Sequence, residues 1–134
     1  MEQTMGRALI VEDQSNWQLA LKILLESEGI IVSVANGPED AKRTLMKSEF
    51  DVIVLDIRLV DEDILNIDGL ELLQYARENR PDIRVIVLTG YPENLKKKPD
   101  ADALILKAPE GAAFDSLGFK KQVIRLIEEK RARL

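Results

Sequence analysis

Five short runs of apolar residues recur along the chain, without the polar alternation of a strand that has one solvated face. Such runs, rich in valine and isoleucine, are typical of strands buried on both faces of a parallel sheet. We therefore predict five parallel strands. The five runs are Ala8–Val11, Ile31–Ala35, Val52–Leu55, Val85–Leu88 and Ala103–Leu106.

Stretches with the apolar spacing of an amphipathic helix separate most of these runs. A first helix is predicted to have Ser15 as its N-cap, to carry Trp17 on its apolar face and to run to about Glu28. Gly29 follows, as is typical just past the end of a helix. Pro38 stands where a proline suits the first turn of a second helix.

The remaining helices are predicted on the same grounds. The third helix is expected to end before Pro81, because a residue that precedes a proline disfavours helical geometry. Residues 91–102 contain Pro92 and Pro99, which predicts a shortened fourth helix in that connection. Basic residues near the end of the last helix, among them Lys130, are expected to be solvated. The apolar face of this last helix is formed by Phe119, Val123, Leu126 and Ile127.

Strands that alternate with helices form βαβ units with right-handed crossovers. We predict a flavodoxin-like α/β fold, in which a doubly wound, five-stranded parallel sheet has the strand order 2-1-3-4-5. One domain is expected over residues 1–134, with its core at about 8–129, because this length is too short for two well-packed domains. In such sheets, ligands bind outside the carboxyl ends of the strands.

Composition narrows the chemistry that a site there can carry. The chain contains no cysteine and no histidine, which excludes disulfides, thiol chemistry, histidine-based dyads and metal sites built from these ligands. Its 24 acidic and 19 basic residues give a net charge of −5, which argues against general nucleic-acid binding. No apolar run is long enough to span a membrane, and the N-terminal stretch lacks the pattern of a signal peptide. We therefore expect a soluble, cytoplasmic domain that contacts neither membrane nor nucleic acid directly.

Charged and polar residues directly follow four of the predicted strands. Glu12 and Asp13 follow the first strand, and Asp56 follows the third. Thr89 follows the fourth strand and Lys107 the fifth. Carboxylates at such an edge can hold Mg²⁺ beside a phosphate, and a carboxylate can act as a nucleophile towards phosphorus. The pattern indicates phosphoryl transfer to Asp56, although each residue taken alone also fits a helix cap, a loop or a solvated surface.

These segments resemble the receiver domain of response regulators, the phosphoacceptor module of two-component signalling. The resemblance extends from about Ala8 to about Glu129. It is carried by Ala8–Asp13, Val52–Asp56, Asp68–Leu73, Val85–Gly90 and Leu106–Lys107.

The resemblance implies a role for each residue at the strand ends. Asp56 would be the phosphorylated aspartate, Thr89 the hydroxyl of the switch and Lys107 the lysine that pairs with the phosphate. The implied donor is a sensor histidine kinase or a phosphotransfer protein, and the output partner stays unknown. The Mg²⁺ ligands that the resemblance implies are Glu12, Asp13, Asp56 and the backbone carbonyl of Arg58.

The chain departs from the family pattern in several places. Gly69 lies 13 positions after Asp56, which is longer than the usual spacing and predicts an extended loop after the third strand. That loop includes three acids at Asp61–Asp63. Leu104 stands where the family often has an aromatic residue, which puts the usual aromatic switch in doubt. Pro109 lies one position later than the Lys-Pro pair of the family places it.

Other functions stay open beside a phosphorylatable receiver. The long loop, Leu104 and the shortened fourth helix would also suit a pseudo-receiver, a module that binds its partner without phosphorylation. An enzyme with an aspartate nucleophile, such as a phosphatase, commonly has a second aspartate two residues later, where this chain has Arg58. A flavodoxin-type cofactor binder is disfavoured, since Glu12 and Asp13 replace the glycine-rich phosphate loop.

Overall fold

The computed structural model describes residues 5–57, 67–90, 100–108 and 113–132, without the side chains of residues 67–70. Within these ranges, five strands alternate with helices, except that no helix is described between the last two strands. In chain order the elements are β1 (Gly6–Val11), α1 (Ser15–Glu26), β2 (Ile30–Ala35), α2 (Pro38–Lys47), β3 (Val52–Asp56), α3 (Ile67–Asn79), β4 (Arg84–Thr89), β5 (Ala103–Leu106) and α4 (Ser116–Ala132).

The strands form one sheet in the order β2-β1-β3-β4-β5, and all neighbouring strands are parallel. The predicted strand order is therefore confirmed. The register places Val11 beside Leu55 and Thr89 beside Leu106, so the carboxyl ends of β1, β3, β4 and β5 finish at nearly the same level. This alignment is what brings the residues that follow the strands to one edge.

Two apolar layers cover the sheet, which explains why the strands show no polar alternation. On one face, Leu9 and Ile53 pack with helices α2 and α3. On the other face, Ile10 and Val54 pack with helices α1 and α4. Successive strand residues thus point to opposite layers, and both layers exclude water. The apolar face predicted for the last helix is buried as expected at Phe119, Val123, Leu126 and Ile127.

The helix bounds agree with the sequence prediction in part. Pro38 occupies the first turn of α2, as predicted. Ser15 is the first helical residue of α1 and not its N-cap, because the carbonyl of Gln14 already accepts the first intrahelical hydrogen bond, from the N–H of Gln18 at 3.0 Å. The helix ends at Glu26, two residues earlier than expected, and Gly29 follows with φ +81°. The predicted shortened fourth helix and the extended loop after β3 fall mainly on residues 91–99 and 58–66, which lie outside the described residues.

At the amino ends of the strands, one buried aspartate ties the end of α4 to the sheet. Asp51 accepts a hydrogen bond from the backbone N–H of Arg7 at 2.8 Å and others from Lys130 and Arg131 at 3.2 and 3.3 Å. Burial raises the pKa of Asp51, but these donors outweigh it and hold that pKa below its ordinary value. The prediction of a purely solvated basic helix end was therefore wrong for Lys130, whose side chain is 19% exposed.

Candidate functional site

The residues that follow the strands are held in place by hydrogen bonds that extend the strand ladders. The N–H of Glu12 donates to the carbonyl of Ala35 at 3.0 Å, just past the end of β1. The N–H of Lys107 donates to the carbonyl of Thr89 at 2.9 Å, just past the end of β5. Backbone bonding therefore fixes where these side chains leave the sheet.

Three carboxylates converge at this edge. Oxygen atoms of Glu12, Asp13 and Asp56 all lie within 4.8 Å of one another. The side chains of Glu12 and Asp56 are 0% and 4% exposed, whereas Asp13 is exposed. An all-oxygen set with one open side is the kind of site that Mg²⁺ occupies in proteins.

The ammonium group of Lys107 faces this cluster. The Nζ atom of Lys107 lies 2.8 Å from Oε2 of Glu12, to which it donates a hydrogen bond, and 3.1 Å from Oδ1 of Asp56. The angles of the second contact do not suit a hydrogen bond, and Oδ1 of Asp56 accepts none from the described residues. Among these four groups, three negative charges therefore meet one positive charge.

Glu12 shows the effect of this imbalance. Burial raises its pKa, and the negative charge of Asp56 adds to that effect. The hydrogen bonds from Lys107 and from the N–H of Gln14, at 3.1 Å, act in the opposite direction without cancelling it. The pKa of Glu12 is therefore above its ordinary value, as expected where negative charge is crowded and poorly hydrated.

The other predicted site residues lie as follows. Thr89 is fully buried at the end of β4, and its carbonyl is the acceptor for the N–H of Lys107. Leu104 is half-buried and packs against the apolar layer of α2 and α3. Arg58 and the acidic loop segment 61–63 are outside the described residues. The structure thus brings Glu12, Asp13, Asp56 and Lys107 together, with Thr89 at the neighbouring strand end.

One contact of the site did not follow from the sequence. The indole ring of Trp17 lies against Lys107, with Nζ 4.6 Å from the ring centroid. The helical pattern assigns Trp17 only to the apolar face of α1. A signal does exist, because Trp17 lies in the first turn of α1, and this helix begins just after Asp13 at the same edge of the sheet.

The family model for the "Response regulator receiver domain" matches residues 8–108. The alginate biosynthesis transcriptional regulatory protein AlgB of Pseudomonas putida is 34% identical over 86 residues, which is 64% of this chain and 18% of AlgB. The chain therefore spans only a small part of the length of such relatives. Among the described residues, no helix is long and apolar enough to cross a membrane.

Solved structures agree with this match. A CheY-like response regulator receiver domain protein from Methanospirillum hungatei JF-1 has a TM-score of 0.78 and 28% identity, covering 96% of this chain and 98% of that one. The response regulator protein TrrA of Thermotoga maritima, in complex with Mg²⁺ and BeF, has a TM-score of 0.69 and 28% identity. That match covers 88% of this chain and 97% of TrrA.

Proposed function

Because the chain belongs to the response regulator receiver domain family, we propose that Asp56 accepts a phosphoryl group and thereby switches a protein-interaction surface. The observation that supports this proposal is the burial of the Asp56 carboxylate and its contacts. The carboxylate is buried, one oxygen accepts no hydrogen bond from the described residues, and Lys107 lies 3.1 Å away. An ionised carboxylate is a nucleophile towards phosphorus, and here it lies beside a cation that can neutralise an incoming phosphoryl group.

The transfer needs positioning and charge neutralisation more than proton chemistry. An oxygen of Asp56 forms the new bond to phosphorus, while the bond from phosphorus to the donor breaks and its electron pair leaves with the donor. We propose a phosphohistidine of a sensor kinase or phosphotransfer protein as that donor. Lys107 is already at the carboxylate, so its ammonium can shift to an oxygen of the incoming phosphoryl group with little movement.

The carboxylate cluster fits Mg²⁺, which we propose as the cofactor of this site. The fit rests on the oxygen set of Glu12, Asp13 and Asp56, on the unbonded oxygen of Asp56 and on the excess of negative charge. When bound, Mg²⁺ would neutralise negative charge on the phosphoryl oxygens. By family resemblance, the backbone carbonyl of Arg58 would be a further ligand. The similar protein TrrA was solved with Mg²⁺ and BeF, which supports the same assignment.

Thr89 is proposed to couple the phosphoryl group to the rest of the fold. Its hydroxyl, at the end of β4, would donate a hydrogen bond to a phosphoryl oxygen and so favour one of two pre-existing conformations. We propose that one receiver domain extends over residues 1–134, with its core at about 8–129. Helix α4, which lies beyond the family match, supports this extent because it buries four apolar residues on the same sheet.

Intact-mass measurement after incubation with acetyl phosphate tests the assignment. We expect the wild-type protein to gain one phosphoryl group in Mg²⁺ and none in EDTA. Hydroxylamine should release the group, since an acyl phosphate is labile to it. Asp56→Asn should abolish uptake, while Asp82→Asn, a change of the same kind at an exposed position at the opposite end of the strands, should leave it unchanged.

Full uptake by the Asp56→Asn variant would refute the assignment of the acceptor. If the wild-type protein neither takes up phosphoryl groups nor responds to Mg²⁺ and beryllofluoride, the chain is a pseudo-receiver. In that case the carboxylate cluster would have a structural role only.

A further inference from the structure

The contact between Trp17 and Lys107 joins helix α1 directly to the proposed phosphoryl-transfer site. The ammonium lies 4.6 Å from the centroid of the indole ring, well within the distance at which a cation is attracted by an aromatic face. Tryptophan gives the strongest such attraction among the aromatic side chains. The lysine side chain is only 11% exposed, so water screens this attraction little.

The indole ring is itself held by aromatic neighbours. The ring of Phe114 packs nearly perpendicular to that of Trp17, with ring centroids 5.2 Å apart and planes at 85°. Phe114 in turn contacts Phe119, which is fully buried in α4, at 5.6 Å. The indole ring is therefore packed against a neighbour that itself contacts the apolar core.

A lysine at this site needs such a support. Its four-carbon stem is flexible, and its ammonium has several carboxylate oxygens within reach. The carboxylates restrain Nζ through one hydrogen bond, to Oε2 of Glu12, and one poorly angled contact, with Oδ1 of Asp56. The aromatic face adds a third, independent restraint.

We propose that Trp17 is a positioning residue, which holds the Lys107 ammonium at the carboxylate cluster and thereby sets the rate of phosphoryl uptake by Asp56. This inference rests on the proposed function for its effect on the rate, but the positioning itself concerns Trp17 and Lys107 alone. A lysine that is already ordered loses less entropy when the phosphoryl group arrives. Trp17 does not touch the reacting atoms and acts through Lys107.

The kinetic test compares aromatic and aliphatic replacements of Trp17 at saturating Mg²⁺. Trp17→Leu should lower the maximal rate of phosphorylation by acetyl phosphate by roughly 2- to 30-fold, the range that corresponds to the loss of a cation–π contact. Trp17→Phe, which keeps an aromatic face, should recover much of that loss. Half-saturation by acetyl phosphate should change little, since Trp17 is not expected to contact the donor.

A double-mutant cycle separates positioning from general damage. In a Lys107→Met background there is no cation to hold, so Trp17→Leu should then alter the residual rate by less than about twofold. An equal loss in both backgrounds would mean that Trp17 supports the fold and does not act through Lys107, which would overturn the proposal.

Nuclear magnetic resonance tests the positioning without any phosphoryl transfer. The probe is an upfield ring-current shift of the Lys107 Cε protons in the ligand-free protein, which is assigned to the indole ring of Trp17 if it disappears in the Trp17→Leu variant. We expect this shift in the wild-type protein and its loss in Trp17→Leu. Its absence from the wild-type protein would overturn the proposal. If the shift is present but the wild-type protein takes up no phosphoryl group, the positioning stands, and the proposed function fails together with the effect on rate.

Discussion

Replacing Asp56 by asparagine should make the protein more stable in the absence of divalent cations, although the same change should abolish phosphoryl uptake. The reason is that Asp56 is a buried charge in a crowded acidic site. Asparagine keeps the shape of the side chain, removes the charge, and adds an amide that can donate to a neighbouring carboxylate.

The size of this gain in stability can be worked out from the distances between Asp56 and the neighbouring charged groups. At an effective dielectric constant of about 20, the Lys107 ammonium at 3.1 Å attracts Asp56 by about 5 kcal/mol. The Glu12 carboxylate, within 4.8 Å, repels it by at least about 3.5 kcal/mol. Asp13 lies within the same distance but is exposed, so its repulsion is partly screened by solvent.

The attraction by Lys107 and the repulsion by the other carboxylates nearly cancel. The main remaining contribution to stability is therefore the unfavourable loss of hydration of the Asp56 carboxylate. Oδ1 of Asp56 is buried without a hydrogen bond from the described residues, a penalty of about 1–3 kcal/mol. We therefore expect Asp56→Asn to raise the free energy of unfolding by about 1–2 kcal/mol in EDTA. For a chain of this length, that corresponds to a melting temperature higher by about 4–8 °C.

Urea and thermal unfolding, followed by far-ultraviolet circular dichroism, would measure the effect in EDTA and again in MgCl₂. Mg²⁺ at ten times its dissociation constant should stabilise the wild-type protein by about 1.4 kcal/mol and the variant by much less. Asp82→Asn, at an exposed position, controls for the loss of one negative charge from the whole chain. An Asp56→Asn protein that is equally or less stable than wild type in EDTA would show that the buried charge is fully compensated, contrary to what these distances predict.

Two further predictions concern the opposite end of the strands. Asp51→Asn should lower the free energy of unfolding by about 2 kcal/mol at pH 7, since hydrogen bonds from Lys130 and Arg131 to a charged acceptor are lost. The pKa of Asp51 is lower in the folded state than in the unfolded state. The stabilisation of the fold by Asp51 is therefore complete above the unfolded pKa of about 3.9 and disappears as the pH falls through the folded pKa. Urea titrations of the wild-type protein and the variant should thus give the same stability in acid. Gly6→Ala should lower the free energy of unfolding by about 1–3 kcal/mol in the same titration, because a Cβ at this position would lie 2.9 Å from both Oδ2 of Asp51 and Cγ2 of Ile127. An alanine variant as stable as wild type would show that these neighbours move aside freely.

The sheet could be predicted from the sequence because its strands are buried on both faces. Each apolar run appears in the structure as a strand, with its bounds shifted by two residues at most. Their alternation with helices, together with the strand order, is enough to predict that Asp56 and Lys107 lie at one edge of the sheet. The N-cap of α1 is harder to predict from the sequence, because Gln14 and Ser15 are adjacent and only the backbone conformation decides which of them ends the extended segment.

The electrostatics of the site could not be predicted in the same way. Residue types show that acids and a lysine meet, but not that Lys107 donates to Glu12 while Asp56 keeps an unbonded oxygen. That difference depends on side-chain angles, which follow from packing and not from periodicity. The same holds for Asp51, whose position before β3 gives no sign that it anchors the end of α4.

Trp17 shows most clearly why a helical pattern can identify a buried face and still miss a role. A tryptophan on the apolar side of an amphipathic helix satisfies the pattern whichever way its ring faces, so the pattern carries no information about a cation over that ring. The contact with Lys107 joins residues 90 positions apart and requires the start of α1 to lie at the same edge of the sheet as the residue that follows β5. At Leu104, by contrast, an aliphatic residue packs into the apolar layer on the opposite face of the sheet, which includes residues of α2 and α3. Trp17, the aromatic residue that contacts Lys107, therefore lies on the face of the sheet that α1 and α4 cover. A family pattern that places an aromatic residue on the fifth strand could not have located it.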